Sequence, residues 1–128
     1  MPLPHGVRVF VCTQPTDMRK SFDGLIAATR AVMGQNPLVG GHLFVFVNRS
    51  MNLTKALYWS RGGFCVWAKR LERGQFARLA SAGIGSHSAQ ITDTQLMMWL
   101  DGIELIGAVQ RKRFVLPIEA SVSEIITT

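Results

Sequence analysis

Three groups of side chains in this sequence could do chemistry: carboxylates, the histidines with the cysteines, and a dense set of cations. The carboxylates are scattered along the chain as Asp17, Asp23, Glu72, Asp93, Asp101, Glu104, Glu119 and Glu124. Two-metal phosphoryl transfer needs several of them converging on ions about 3.5–4 Å apart. No spacing here forces that convergence. His5, His42 and His87 show no zinc-ligand spacing with one another or with Cys12 and Cys65. Neither a phosphate-binding Walker loop nor a GxSxG nucleophile turn is present. The sequence therefore points to no catalytic residue, no metal, no cofactor and no independent enzyme. What remains is electrostatic. Arg61, Lys69, Arg70, Arg73 and Arg78 set against Glu72 give a local excess of four positive charges. Lys and Arg that meet phosphates release condensed counterions, which makes binding steeply salt-dependent. Trp59, Phe64, Trp67 and Phe76 lie in the same segment. Exposed aromatics stack on unpaired bases, but aromatics at strand positions more often fill a core.

The totals agree with a basic binding module. The chain has 128 residues, 48% of them hydrophobic, enough for one ordinary domain with its own core. Fourteen Lys and Arg against eight Asp and Glu leave a formal charge of +6, and the pI is near 10.2. That balance favours polyanions, nucleic acid before anionic membrane. The two prolines and the histidine of the first six residues do not make a signal peptide. No run approaches the ~20 apolar residues of a membrane span. Both cysteines fall inside expected strands and read as reduced core residues, so a cytoplasmic location is expected.

The cations need a scaffold, and the sequence supplies one in the stretch Gly41 to Phe76. Leu43–Val47, Ala56–Trp59 and Phe64–Ala68 are short runs rich in Val, Phe, Tyr and Trp, the pattern of consecutive antiparallel strands. Ser60-Arg61-Gly62-Gly63 suits a tight hairpin, and Asn48-Arg49-Ser50-Met51-Asn52 reads as a longer exposed polar loop. Val7–Cys12 is a first strand, interior because its only charge, Arg8, stands near its start. Thr16 or Asp17 caps a short turn through Met18-Arg19-Lys20, and Ser21 caps a helix from Phe22 to about Met33. Phe22, Leu25, Ile26, Thr29, Val32 and Met33 share one face of it, with Gly34 and Pro37 placed to end it. Arg19 and Lys20 stand near the positive end of that helix, where its dipole disfavours them. Ala80–Ser88 reads as a flexible loop and Gln90-Ile91 as a short extended piece. Thr92 and Gln95 have capping-box spacing for a second helix ending near Gly102. If the third strand continues to Lys69, Lys69 and Arg70 point to opposite faces. If the chain turns helical there, Lys69 and Arg73 share a side. The expected fold is α+β, with a mostly antiparallel sheet, one main helix on a face and a second short helix. It forms a single domain over residues 1–104, and 105–128 is a tail with a possible strand at Phe114–Leu116.

Pro15-Thr16-Asp17-Met18-Arg19-Lys20-Ser21-Phe22-Asp23-Gly24-Leu25, then Gly41–Phe46, Leu57-Tyr58-Trp59, Gly63–Trp67 and Lys69-Arg70-Leu71-Glu72-Arg73-Gly74 closely resemble a family of insertion-sequence proteins. It is the TnpB (Orf2-like) accessory family of the IS sixty-six group of bacterial transposable elements, and the likeness covers about Val7 to Phe76. The resemblance implies a protein encoded beside a separate transposase, assisting transposition without supplying strand-cutting carboxylates. Three departures stand out. The loop after the Leu43–Val47 strand has one cation, Arg49, where family members carry several. Ala68 follows Trp67 where an aromatic is common, and Ala77-Arg78-Leu79 replaces the usual aromatic-Pro.

Two roles fit these readings. In the first, Arg19, Lys20, Arg61, Lys69, Arg70 and Arg73 touch DNA phosphates, at the element ends or nonspecifically. In the second, the basic rim docks the transposase and does not contact DNA. Thr16, Asp17 and Glu72 belong to the motifs, and Asp17 reads equally as a structural cap that pairs with Arg19 or Lys20. A nuclease with an unrecognised carboxylate cluster is the remote third case.

Overall fold

The computed structural model describes residues 6–101. The expected tail, including Phe114–Leu116 and the Arg111-Lys112-Arg113 run, lies outside the described residues. Within them the order is β1 (Arg8–Cys12), α1 (Phe22–Ala31), β2 (His42–Val47), β3 (Leu53–Ser60), β4 (Gly63–Arg70), β5 (Ser88–Ile91) and α2 (Asp93–Leu100). The strands form one five-stranded sheet in the order β4-β3-β2-β1-β5. β2, β3 and β4 are the antiparallel meander that the apolar runs predict. β1 is interior, as its composition predicts, with β2 parallel on one side and β5 antiparallel on the other. The mostly antiparallel α+β expectation therefore holds, and α1 is the crossover that joins the one parallel pair.

Side chains alternate across a strand, so each face collects its own core. One face buries Val9, Val11, Leu43, Val45, Ala56 and Ile91 under Leu96, Trp99 and Leu100 of α2. The opposite face buries Phe10, Cys12, Phe44, Phe46 and Leu57 against Leu25 and Met33 of the α1 region. The hairpin between β3 and β4 closes in two residues, Arg61 at φ 50° and Gly62 at φ 82°. Both dihedrals are positive, which is the primed turn that suits twisted strands.

Three local expectations need correction. Phe22, expected on the buried face of α1, is 46% exposed, because the face that meets the sheet runs through Leu25 and Thr29. Ser21 occupies the N-cap position of α1 without a side-chain cap bond. The Asn48–Asn52 segment is not simply an exposed loop. Asn48 Oδ1 accepts from the backbone N–H of Asn52 at 3.0 Å and Leu53 at 3.1 Å, and Met51, at φ 60°, turns its side chain into the core. Phe76 fills the core, the more frequent role for such aromatics, and lies stacked on Trp99 with ring centroids 4.6 Å apart. Among the described residues no helix is long and apolar enough to cross a membrane.

Candidate nucleic-acid interface

The parallel pairing of β1 and β2 brings their C-terminal ends, Cys12 and Val47, to one rim of the sheet. β3 begins at that rim and β4 ends there. The segment after β1 crosses it, tied down where Thr16 donates its N–H to the Val47 carbonyl at 2.9 Å. The Asp17 carboxylate then organises the next turn. It accepts from the Arg19 backbone N–H at 2.9 Å, from Arg19 Nε at 3.0 Å and from Arg19 Nη2 at 2.6 Å. These bonds from the Arg19 side chain and backbone hold the Asp17 carboxyl well below the usual carboxylate range, and in return raise Arg19. Asp17 is thus the cap and ion-pair partner that one sequence reading gave it. The Arg19 side chain nonetheless remains 92% exposed, and an exposed pair of this kind is weakly held.

Lys20 is positioned from two sides. Its carbonyl accepts from Lys55 Nζ at 2.9 Å. Its stem lies over Gly24, where an added Cβ would come within 2.9 Å of Lys20 Cβ and Cγ. Glycine in the first turn of α1 is therefore a space requirement of the lysine. Lys55 lies opposite Ala68, and Arg70 lies opposite Leu53, so Lys55 and Arg70 are diagonal neighbours on the α1 face. Arg70 Nε reaches Glu72 Oε2 only at 3.4 Å, with both side chains mostly exposed. Beyond Arg70 the chain is laced to the β2–β3 turn: Leu71 donates to the Asn52 carbonyl at 2.7 Å and Gln75 Nε2 to the Ser50 carbonyl at 2.9 Å. That lacing carries Arg73 to the turn that bears Arg49, and both are exposed.

Four of the six sequence-selected cations, Arg19, Lys20, Arg70 and Arg73, therefore belong to one rim. The other two do not. β4 continues through Lys69, so Lys69 and Arg70 face opposite ways. Lys69 Nζ donates to the Leu100 carbonyl at 2.8 Å, where its charge meets the negative end of α2. Arg61 sits on the hairpin at the far end of β4, about 23 Å away at ~3.3 Å per residue. Sequence reasoning left two rim cations, Arg49 and Lys55, out of the set. The signal for Lys55 was its alternation with Leu57 and Trp59, hidden because the strand was expected to start at Ala56.

All of the +6 excess lies within the described residues, which hold eleven Lys and Arg and five Asp and Glu. No group of three or more His, Cys, Asp or Glu that could hold a metal ion occurs among them. A cavity of about 260 Å³ opens beside the ends of β1 and β2, between Val47, Met51 and Trp99. Its lining includes Cys12 and Arg78 but no carboxylate or imidazole, and burial pushes the Cys12 thiol up, away from a reactive thiolate.

The chain matches the family model described as IS66 Orf2 like protein over residues 7–122. It is 40% identical over 105 residues to the uncharacterized protein y4hO of Sinorhizobium fredii, covering 81% of this chain and 87% of that one. It is 34% identical over 72 residues to the uncharacterized protein y4jC of the same organism, covering 56% and 61% respectively. No solved structure matches it. The family match runs through the whole sheet, both helices and the rim just described, and the chain belongs to the IS66 Orf2-like (TnpB) family of transposition-associated accessory proteins.

Proposed function

We propose that this accessory protein takes part in transposition without catalysis, holding DNA by its phosphates along the sheet rim. The contacts are Arg19, Lys20, Lys55, Arg70 and Arg73, with Arg49 at the β2–β3 turn. One observation carries this reading. Cations far apart in sequence are fixed at one end of the sheet, and among the described residues only Arg19 and Arg70 of this set have an acidic partner. Both pairs are exposed, so a phosphate can replace the carboxylate at little cost. Arg61 and Lys69 drop out of the proposed contact set.

Anisotropy titrations of full-length protein on element-end DNA across a salt series test the proposal. Affinity should fall steeply with salt, with a slope of about −0.9 per phosphate neutralised. Arg70→Glu and Arg73→Glu should each weaken binding and flatten that slope by about one contact. Arg61→Ala should leave the slope unchanged. Binding that is absent at low salt, or indifferent to salt, overturns the proposal. A second reading, an adaptor that docks the transposase, draws on the rim's existing bonds to Asp17 and Glu72: guanidinium groups that hold these carboxylates can hold a partner's. Co-purification with the transposase that survives nuclease treatment would favour it.

A further inference from the structure

β4 is an outer strand of the sheet, bonded to β3 along one side only among the described residues. Its hydrogen-bonding parity is fixed at both ends. Leu71 donates its N–H to Asn52, and Gly63 closes the two-residue hairpin with Ser60. The backbone groups of Cys65, Trp67 and Lys69 therefore point to β3, and those of Phe64, Val66, Ala68 and Arg70 point away from the sheet. No backbone partner for these four outward residues occurs among the described residues.

This edge lacks the usual safeguards. Natural sheets blunt exposed edges with proline, a bulge, shortness or a central charge. β4 runs for eight residues, pairs in continuous register and has no proline, and its charges are confined to its last two positions. Its centre, Phe64-Cys65-Val66-Trp67, is half-buried on both faces, which leaves apolar surface for a neighbouring strand to cover.

The charges select the neighbour. A second copy of β4 would pair about a two-fold axis that keeps like faces together, with Val66 opposite Val66 or Trp67 opposite Trp67. The first register sets Arg70 against Gly62, next to Arg61, and the second brings Arg61 level with Arg73. Neither register sets a carboxylate opposite Arg70 or Arg61, and the second brings like charges level, which is destabilising. A strand with carboxylates at its ends meets Arg70 at one end and Arg61 at the other. We propose that the β4 edge is a strand-addition site for an extended segment of another protein, apolar at its centre and acidic at its ends. Main-chain bonds to Phe64, Val66, Ala68 and Arg70 would give affinity, and the flanking cations orientation. The inference does not rest on DNA binding.

The test uses full-length protein and a synthetic peptide of alternating valine and threonine with a glutamate at each end, beside a counterpart with lysine ends. The acid-ended peptide should bind about tenfold more tightly, the ratio given by about 1.4 kcal/mol of charge preference. Its binding should slow amide exchange at Phe64, Val66 and Ala68. Val66→Pro removes an outward N–H that no β3 bond uses, so it should abolish peptide binding while leaving DNA affinity unchanged. Ala68→Pro, at an exposed position of the same parity, serves if the first variant fails to fold. Equal binding of the two peptides, or peptide binding that survives both prolines, overturns the proposal. So does slow exchange of these amides in the free monomer, or self-association abolished by Val66→Pro.

Discussion

The two faces of the sheet are covered in different ways, and adjacent residues of β4 show the contrast. On the α2 face Trp99 is 1% exposed, stacks on Phe76 and donates its indole N–H to the Ala77 carbonyl at 2.7 Å. The cation that points to this side, Lys69, is half-buried and bonded to the last carbonyl of α2. On the α1 face the helix lacks a side-chain cap, Phe22 is 46% exposed, and Phe64 and Val66 are only partly covered. Of the cations on that side, Arg70 stands at the surface, and Lys55 is half-buried with its Nζ on the Lys20 carbonyl of the exposed turn before α1. One face is sealed by the packing of the fold itself, and the other leaves charge and apolar surface less covered.

The largest test of this division is a pair of truncations read by urea unfolding. Trp99→Ala should cost about 3–5 kcal/mol, through lost transfer energy, a cavity and an orphaned Ala77 carbonyl. Phe22→Ala should stay within about 0.5 kcal/mol, as surface changes do. Similar losses at the two sites would erase the distinction between the faces. A finer division separates neighbours. Lys69→Met should destabilise by about 1–2 kcal/mol, because it removes a charged donor from the last carbonyls of α2, and should leave DNA affinity intact. Arg70→Met should do the reverse. If Lys69→Met weakens DNA binding as much as Arg70→Met, the removal of Lys69 from the contact set is wrong.

Helix caps sharpen the same comparison at smaller size. Thr92 Oγ1 accepts from the Gln95 N–H at 3.1 Å while Gln95 Oε1 accepts from the Thr92 N–H at 2.7 Å, a complete capping box. Thr92→Ala should cost about 1 kcal/mol, whereas Ser21→Ala, which removes no cap bond, should cost a few tenths at most. A thermal melt of each variant decides it, and equal losses would mean that Ser21 caps α1 in solution.

The caps also mark how far the sequence could be read. Thr92 with Gln95 was legible because both halves of the box are local, three residues apart. The β2–β4 meander was legible because Val, Phe, Tyr and Trp cluster between polar or glycine breaks, and Arg61-Gly62 could take the dihedrals of a primed turn. Asp17 was legible as a cap because its partners are its neighbours. What stayed hidden depends on long-range placement. No local signal says that Met51, in a polar turn, faces the core, or that Phe76 lies under Trp99. Nothing in Lys69 itself reveals that α2 ends beside it. The rim was half legible for the same reason: charge density marked Arg70 and Arg73, but only the strand register brings Lys55 beside them.

The smallest expected effect comes from the α1 face and concerns pH. His42 packs between Phe10 and Phe44, with ring centroids at 5.2 and 6.0 Å, and its Nδ1 is buried without a hydrogen-bond partner. Burial, and secondarily the charge of Arg8, hold the folded-state pKa below its ordinary value. In the unfolded chain His42 takes up its proton near pH ~6.5, while the folded ring stays neutral. Between those two values the unfolded state binds more protons, so stability is full above the unfolded pKa and declines as pH falls toward the folded one. Asp17 does not confuse this window, because its depressed pKa contributes only below about pH 4, where unfolded carboxylates protonate. Urea midpoints measured from pH 7.5 to pH 5, at about half-unit steps, should therefore drift down for the natural protein. His42→Phe replaces the ring with one that suits the Phe10–Phe44 pair and carries no orphaned nitrogen, so it should flatten that drift. An unchanged drift would assign it elsewhere and remove His42 as the pH-sensitive element of the more open face.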